Sequence, residues 1–349
     1  MSKQGYHEEL KKNNILRLRE LIDSLPSFCR DFFRGVEDTM EPRTRIAYAY
    51  DLGIFFDFLQ QKNPLCCGLP VREISLSILE KLTREDILEY SEFLSYYQKD
   101  GMEFTNDERG KRRKLASLRT FLNYYYQHGQ LPENVATRVP LPKLHEKEIV
   151  RMDPDEVAIL LDQVEAGSKM TKSQLKFHEK TKVRDLAMLS LLLGTGIRVS
   201  ECVGLDLNDV DMNNLAVKVQ RKGGYEDVVY FGEEVEQALL SYLEERKHII
   251  PEKGHEEAFF LSLQNRRMAV RSVENMVKKY TSLVTTTKKI TPHKLRSTYG
   301  TNLYQETGDI YLVADVLGHK DVNTTRKHYA AMKDYNKRKA AKSVRLREP

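Results

Sequence analysis

The most informative pattern in this chain lies at residues 291–329, TPHKLRSTYGTNLYQETGDIYLVADVLGHKDVNTTRKHY. Within it, His293 and Arg296 are three residues apart, so a helix would present them on one face. A second histidine, His319, follows a leucine and a glycine, and Tyr329 comes shortly after it. Cationic side chains and a late tyrosine in this order predict a site that binds one phosphate and attacks it with a phenol.

Two upstream segments add further charged side chains: GTGIRVSE at 194–201 and RKGG at 221–224. Glu201 comes three residues after Arg198, so on a helix its carboxylate can hold the guanidinium in one orientation. Lys222 is predicted at the tip of a hairpin, because alternating β-branched runs flank it and its two glycines. Each of these residues alone is an ordinary surface group, and only their combination indicates a site.

Cleavage of a phosphodiester without a metal requires cations on the non-bridging oxygens, a nucleophile in line, and an acid for the leaving oxygen. Arginine suits the first task because its planar fork binds two phosphate oxygens and keeps its charge. Arg198 and Arg296 are the candidates for this role. Lys222 is the candidate acid, since a lysine on a mobile loop can hand a proton to a departing alkoxide.

Other chemistries fit the sequence less well. The glycine-containing segment GTGIRVS lacks the GK[ST] of a phosphate-cradling loop. The histidines do not have the i,i+4 spacing with a glutamate that marks a zinc protease, and no GxSxG motif occurs. The sequence also lacks a clustered set of Asp and Glu residues for two-metal nuclease chemistry.

The composition narrows the class of protein. A length of 349 residues fits about two domains, and a net charge of +5 allows a polyanionic partner without requiring one. Four cysteines without a CxxC pair indicate neither a disulfide framework nor a zinc site. The sequence lacks an apolar run of about 18 residues and the apolar core of a signal peptide, which predicts a soluble intracellular protein.

Periodic apolar residues predict an all-α bundle for the N-terminal part of the chain, residues 1–145. Its main helices are expected at about 5–24, 41–61, 83–97 and 106–128. Thr83 and Asp86 have the spacing of a capping box at the start of the third of these helices. Three prolines and mixed charges at about 131–153 predict a linker to the second domain.

The beginning of the 106–128 helix carries a run of basic residues that are candidate DNA contacts: Arg109, Lys111, Arg112, Arg113 and Lys114. One interpretation of this run is a solvated face, which is the usual role of clustered charges. The other interpretation is a helix whose basic end contacts DNA phosphates.

The second domain, residues 150–349, is predicted to be mostly helical with a small antiparallel sheet. Helices are expected at about 154–164, 182–193, 233–247, 270–284, 292–307, 310–317 and 324–329, a helix or turn at 201–207, hairpin strands at 215–221 and 225–231, and a charged tail from about 330. The 182–193 helix has little polar face and is expected to be largely buried.

Four motifs in this order resemble the tyrosine recombinase (phage integrase) family, and within it the Xer branch of the single-protein XerS type. The motifs are VRDLAMLSLLLGTGIRVSECVGLDLNDVD, VQRKGG, TPHKLRSTYGT and LGHKDVNTTRKHY. The resemblance is strong over about 180–330 and mainly architectural over 1–145. It implies the tyrosine recombinase fold, in which a SAM-like core-binding bundle and a catalytic domain clamp duplex DNA.

The resemblance assigns six catalytic residues in this sequence: Arg198, Lys222, His293, Arg296, His319 and Tyr329. It implies that the arginines and His319 bind the scissile phosphate, that His293 assists proton transfer, and that Lys222 protonates the leaving 5′ oxygen. Glu201 would support the first arginine. The tyrosine would form a 3′-phosphotyrosyl bond that conserves the ester energy, so no cofactor, ATP or metal is expected.

The chain departs from the family pattern at two positions. The family tyrosine usually lies nine residues after the LGH histidine, a position that His328 occupies here, so Tyr329 is displaced by one. Tyr335 is the alternative nucleophile. Ser297 stands where relatives often carry a histidine, and we assign it no catalytic role.

Three functions remain open from the sequence. The first is a site-specific recombinase of the bacterial cytoplasm, acting on duplex DNA with paired half-sites as a dimer on one site and a tetramer in synapsis. Its role would be Xer-like resolution of chromosome dimers, or integration and excision of a mobile element. The second is a non-catalytic DNA-binding protein, against which the complete set of six residues argues. The third is a topoisomerase-like enzyme that nicks and closes DNA alone.

Overall fold

The computed structural model of the protein describes residues 3–145, 149–221, 223–319 and 321–322. The chain divides into two compact units, Glu8–Glu146 and a second one that combines Met1–His7 with Lys147–Pro349. We call them the N-terminal unit and the C-terminal unit. The division between 146 and 147 falls within the segment in which the sequence predicts a linker.

The N-terminal unit is mostly helical around an aromatic core. Its elements, starting with the helix that leads into it, are α1 (Lys3–Asp23), α2 (Cys29–Gly35), α3 (Pro42–Lys62), α4 (Leu76–Leu79), α5 (Arg84–Phe93), β1 (Tyr96–Lys99), β2 (Met102–Thr105) and α6 (Glu108–Gln127). Phe32, Phe56 and Tyr125 meet the buried ring of Phe121 edge to face. Such ring pairs add about 0.5–1.5 kcal/mol each beyond the burial of their area, so this unit has a core of its own.

The capping box predicted at Thr83 is present. The backbone N–H of Thr83 donates to Asp86 Oδ2 at 2.7 Å, and the backbone N–H of Asp86 donates to Thr83 Oγ1 at 3.3 Å. Two backbone donors that would be unpaired at the start of a helix are thereby satisfied, and α5 begins at Arg84, directly after Thr83.

A two-stranded hairpin follows α5, which corrects the prediction that the N-terminal part is purely helical. The helix ends at Phe93, and β1 and β2 pair antiparallel with Lys99 opposite Met102. Asp100 and Gly101 form the turn with φ values of 51° and 73°. An Asp-Gly pair between β-forming residues is a strong signal for a two-residue hairpin. The local sequence therefore carries a signal for this strand pair beside the periodicity that predicts a helix at 83–97.

The C-terminal unit is also mostly helical and contains one three-stranded antiparallel sheet in the order β3-β4-β5, which confirms the predicted fold class. Its elements are α7 (Pro154–Ala166), α8 (Lys172–His178), α9 (Lys182–Thr195), α10 (Val199–Gly204), β3 (Val210–Asp211), β4 (Ala216–Gln220), β5 (Glu226–Tyr230), α11 (Glu233–Lys247), α12 (Val270–Thr281), α13 (Pro292–Thr307) and α14 (Ile310–Val316). The predicted helix at 324–329 lies outside the described residues. None of the helices in the described part of the chain combines the length and apolar character that crossing a membrane requires.

Helix α9 is central to the C-terminal unit, because α7, α11 and α13 all pack against it. Its side chains are mostly buried, as its sequence predicts. A Cβ at Gly194 would lie 2.4 Å from the Val235 side chain on α11, and a Cβ at Gly196 would lie 2.4 Å from Tyr299 on α13. Gly196 also has a φ of +64°. The two glycines therefore allow close approach of both helices to the end of α9, just before Arg198.

Candidate active site

Arg198 lies at the start of α10, and its side chain is about one-third exposed. Its guanidinium donates from Nη1 to Glu201 Oε1 at 2.7 Å, and its backbone N–H donates to Glu201 Oε2 at 2.7 Å. The Glu201 side chain is only 3% exposed. A buried carboxylate therefore orients a guanidinium that reaches the surface, which an exposed ion pair of the same spacing would not achieve.

Arg296 is buried on α13 and connects two other elements. Its Nη1 donates to the carbonyl oxygen of Gly196 at 2.6 Å, and its Nη2 donates to the carbonyl oxygen of Leu317. Gly196 is two residues before Arg198, and Leu317 is two residues before His319. Arg296 thus brings together the segments that carry the other arginine and the second histidine of the predicted set.

His293 lies one turn before Arg296 on the same helix, and it is exposed. Pro292 occupies the first helical turn, where its missing N–H leaves no helical hydrogen bond unmade. The hydroxyl of Ser297 donates to the carbonyl oxygen of His293 at 3.0 Å, so it is engaged with its own helix. His293 and Arg296 therefore share the N-terminal end of α13.

His319 follows a tight turn at the end of α14. Gly318 has a φ of +59°. Its backbone N–H donates to the carbonyl oxygen of Asp315 at 2.7 Å, and the backbone N–H of His319 donates to the carbonyl oxygen of Ala314 at 2.9 Å. This is the Schellman arrangement that ends many helices at a glycine. A Cβ at position 318 would also lie 2.9 Å from Arg221 Nε. The glycine of the LGH motif is thus required by its backbone conformation and by the neighbouring guanidinium.

Arg221 is a buried member of this cluster that is not among the site residues predicted from the sequence. Its side chain is 1% exposed, and it donates to Glu201 Oε2 at 3.1 Å, to Asp227 Oδ2 at 2.9 Å and to the carbonyl oxygen of Val316 at 2.9 Å. A sequence signal existed, because alternate residues of β4 face the core and position 221 continues that alternation. An arginine facing inward needs a carboxylate partner.

Lys222, Tyr329 and the alternative nucleophile Tyr335 lie outside the described residues, so their assignments stay predictions. Gly223 and Gly224 beside the lysine have φ values of 98° and 84°, as a tight hairpin turn requires. Among the residues that the structure describes, no group of three or more His, Cys, Asp or Glu side chains is placed to hold a metal ion.

The basic run at the start of α6 contains two residues that stabilise the N-terminal unit itself. Lys114 is buried, and its Nζ donates to Asn106 Oδ1 at 2.6 Å. Its ammonium is therefore engaged within its own unit, and the role of Lys114 as a DNA contact stays a prediction. Arg113 pairs with Asp51, whose side chain is 1% exposed. Burial raises the pKa of the Asp51 carboxyl above its ordinary value, although Arg113 acts in the opposite direction.

The other members of the run lie nearer the surface. Arg109 and Arg112 are exposed, and Lys111 is half-buried with its Nζ bonded to Ser95 Oγ. Arg112 also donates from Nη1 to the carbonyl oxygen of Pro142 at 3.1 Å. These positions suit contact with a polyanion.

The chain resembles known proteins in both sequence and fold. The family model described as Phage integrase family matches residues 151–335. The chain is 31% identical over 296 residues to the tyrosine recombinase XerC of Caldanaerobacter subterraneus, covering 82% of this chain and 77% of that protein. It is 33% identical over 306 residues to the tyrosine recombinase XerS of Streptococcus pyogenes, and this match covers 81% of this chain and 85% of that protein. For XerS of Streptococcus agalactiae, the identity is 29% over 344 residues, and the match covers 90% of this chain and 95% of that protein.

Two solved structures share the fold. One is the XerH site-specific recombinase bound to palindromic difH substrate in a post-cleavage complex, with a TM-score of 0.64, 17% identity, and coverage of 95% of this chain and 88% of that chain. The other is the Tn1549 transposon integrase in complex with circular intermediate DNA, with a TM-score of 0.65, 20% identity, and coverage of 91% and 99%. At these identities the likeness concerns the fold alone.

Proposed function

The chain belongs to the phage integrase family of tyrosine recombinases, and from this premise we propose that it is a site-specific DNA recombinase of the Xer type. The observation that supports this best is the link that Arg296 makes between Gly196 and Leu317. This link connects the helix that carries His293 and Arg296 to the backbone segments that lead to Arg198 and His319. A single phosphate is the ligand that such a group of cations fits.

In the proposed reaction, the two arginines and His319 bind the non-bridging oxygens of the scissile phosphate. The Oη of Tyr329 attacks the phosphorus while the bond to the 5′ oxygen breaks. Lys222 gives the departing oxygen a proton, and His293 assists the transfer of the phenolic proton. The resulting 3′-phosphotyrosyl ester keeps the energy of the original bond. A 5′ hydroxyl of a second strand can therefore attack it, release the tyrosine and rejoin the DNA.

Glu201 has a supporting role in this proposal. An arginine that binds a phosphate through two parallel hydrogen bonds must present its fork in the right plane. Glu201 holds Arg198 through both the side chain and the backbone, so less rotational freedom is lost when the phosphate binds.

We assign the chain the Xer-like role of resolving chromosome dimers in the bacterial cytoplasm. The support for this role is the match to XerS of Streptococcus agalactiae along nearly the full length of both chains. The proposed partner is duplex DNA with two half-sites, each bound by one subunit, and two such sites would be joined in a tetramer. We further propose that the N-terminal unit is the core-binding domain and the C-terminal unit the catalytic domain.

The test of this function begins with a duplex that the protein itself selects from genomic fragments. A nick beside the cleavage position lets the cut fragment diffuse away, so that a covalent protein–DNA complex accumulates. We expect this complex on a denaturing gel without ATP. On a plasmid that carries two directly repeated sites, we expect deletion of the intervening DNA.

Each alternative function has its own outcome in the same two assays. Relaxation of a supercoiled plasmid without deletion would indicate an enzyme that nicks and closes DNA alone. Specific binding to the duplex without any covalent complex would indicate a DNA-binding protein and would overturn the proposed enzyme.

We also propose that Arg109 and Arg112 contact DNA phosphates. Replacing both with alanine should weaken binding to all sequences equally, because a phosphate carries no sequence information. The slope of log K against log salt should become shallower by about 0.9 for each lost contact. Binding measured across a salt series, with specific and unrelated duplexes, checks this expectation.

The choice of variants in that experiment follows from the structure. Arg113→Ala is unsuitable, because it would leave the buried Asp51 carboxylate without its guanidinium and cost about 1–3 kcal/mol of stability. Arg30→Ala is a matched control, since Arg30 is an exposed arginine of the same unit outside the basic run. An unchanged salt slope in the Arg109 and Arg112 double variant would favour a merely solvated face.

A further inference from the structure

Arg221 lies at the base of the hairpin loop that carries Lys222, and its backbone closes that loop. The N–H of Arg221 donates to the carbonyl oxygen of Tyr225 at 2.9 Å, and the N–H of Gly224 donates to the carbonyl oxygen of Arg221 at 3.0 Å. Lys222 is the next residue in the chain. A displacement of Arg221 would therefore move the backbone from which Lys222 extends.

The side chain of Arg221 joins this loop base to the pair formed by Arg198 and Glu201. Glu201 Oε2 accepts from Arg221 Nη1 at 3.1 Å and from the backbone N–H of Arg198 at 2.7 Å. On the other strand of the hairpin, Asp227 Oδ2 accepts from Arg221 Nε at 2.9 Å. The buried members of this group, Arg221 and Glu201, are thereby paired in charge, as buried ions need to be.

Arg221 also holds the end of α14. Its Nη2 donates to the carbonyl oxygen of Val316 at 2.9 Å, and Arg296 donates to that of the next residue, Leu317. The last carbonyls of a helix lack partners within the helix and carry partial negative charge, so cations suit them. Two arginines thus fix the helix end that leads through Gly318 to His319. One guanidinium therefore contacts the hairpin, α10 and α14 together.

We infer that Arg221 is a positioning residue for proton donation by Lys222. It keeps the base of the loop in a fixed place relative to the phosphate-binding arginine and to the turn before His319. The inference rests on the proposed function, in which Lys222 is the acid for the leaving oxygen. Arg221 acts through its neighbours, because its side chain is 1% exposed and its nitrogens donate to protein oxygens.

A comparison of two substrates distinguishes this role from a purely structural one. In the first, the bridging 5′ atom is the natural oxygen, whose departure requires a proton. In the second, it is sulfur, which departs as a thiolate, a much weaker base than an alkoxide. A variant that only misplaces the acid is slow on the oxygen substrate and recovers on the sulfur substrate. A variant that loosens the whole site is slow on both.

The principal variant is Arg221→Met, measured by single-turnover cleavage of the two nicked duplexes with the full-length protein. We expect a loss of roughly 10- to 100-fold on the oxygen substrate, as part of the about 100- to 10,000-fold that a positioned proton donor supplies. On the sulfur substrate most of this loss should disappear. Lys222→Ala should show the same pattern with a larger loss, which establishes that the sulfur substrate reports on the acid.

A second variant covers the case in which Arg221→Met does not fold. Asp227→Asn removes the charge at the hairpin end of the link and keeps the buried contact of Arg221 with Glu201. It should show the same pattern with a smaller loss. Glu226→Gln is the matched control, because Glu226 forms an exposed ion pair with Lys218 across the same hairpin. Its cleavage rates should be unchanged.

Three outcomes would overturn the inference. Equal losses on both substrates in Arg221→Met and Asp227→Asn would show that the cluster supports the site in general. Full activity of Arg221→Met on the oxygen substrate would show that the link has no catalytic consequence. A Lys222→Ala defect that sulfur does not relieve would remove the acid that Arg221 is inferred to position. Failure of the proposed function itself looks different, because the unaltered protein would then form no covalent complex on either substrate.

Discussion

Tyr329→Phe is expected to bind its DNA site as the unaltered protein does and to form no covalent complex with it. The substitution keeps the ring and removes only the hydroxyl, so packing and DNA contacts should survive. An ordinary tyrosine has a pKa of about 10 and is protonated at neutral pH. Its attack therefore depends on a nearby base and on a phosphate whose charge the arginines have neutralised. Without the hydroxyl, the reaction has no nucleophile.

The measurement is a mobility shift for binding, together with a denaturing gel of the protein trapped on nicked DNA. Digestion of the trapped complex identifies the peptide that carries the nucleotide. Tyr335→Phe is the matched control, because Tyr335 is the alternative nucleophile and this variant should still form the complex. A nucleotide on Tyr335, or a covalent complex formed by Tyr329→Phe, would contradict the assignment of Tyr329.

Arg296→Ala should lose at least ~2–4 kcal/mol of transition-state stabilisation, by analogy with removal of a hydrogen-bond donor to an oxyanion. This corresponds to about 30- to 1,000-fold in the cleavage rate. Arg296→Lys should also be impaired, because an ammonium keeps the charge and loses the planar fork. The structure adds a second effect. The alanine leaves the carbonyl oxygens of Gly196 and Leu317 without their buried donor, so the segments before Arg198 and His319 lose their connection.

Single-turnover cleavage at saturating protein measures the chemical effect, and thermal unfolding measures the structural one. We expect the loss of rate to exceed what partial unfolding explains, and DNA binding to change less than cleavage. Arg266→Ala, an exposed arginine of the same unit, is the control and should retain the rate. If Arg296→Ala cleaves the nicked substrate at the rate of the unaltered protein, Arg296 is not a phosphate-binding residue.

Several elements could be predicted from the sequence because their signals are local. The bounds of α11 (Glu233–Lys247) and α13 (Pro292–Thr307) agree with their apolar periodicity and terminal residues. The hairpin of β4 and β5 follows from alternating β-branched residues around two glycines. The capping box of α5 needs only residues three apart. In each case the interaction that decides the structure spans a few residues, so the sequence window contains both partners.

The sequence is less informative where one local signal competes with another, or where an interaction partner comes from a distant part of the chain. The helix predicted at 83–97 extends past the observed end of α5 at Phe93 into β1 (Tyr96–Lys99), the strand that the turn at Asp100 and Gly101 follows. The intramolecular contacts of the basic run on α6 are hidden from the sequence for a different reason. Arg113 donates a hydrogen bond to Asp51, which is 62 residues away in the sequence, so the residues near Arg113 cannot predict this ion pair.

The family and the fold class could be predicted from the sequence, and the family resemblance names the candidate catalytic residues, because the motifs that carry it are short and stand in a fixed order. Which cations stabilise the fold itself is visible only once the chain has folded. Arg221 reaches the carbonyl of Val316 across 95 residues, and Arg296 reaches that of Gly196 across 100. A charged side chain is buried or exposed according to the oxygens that folding brings to it, and those oxygens belong to other segments of the chain.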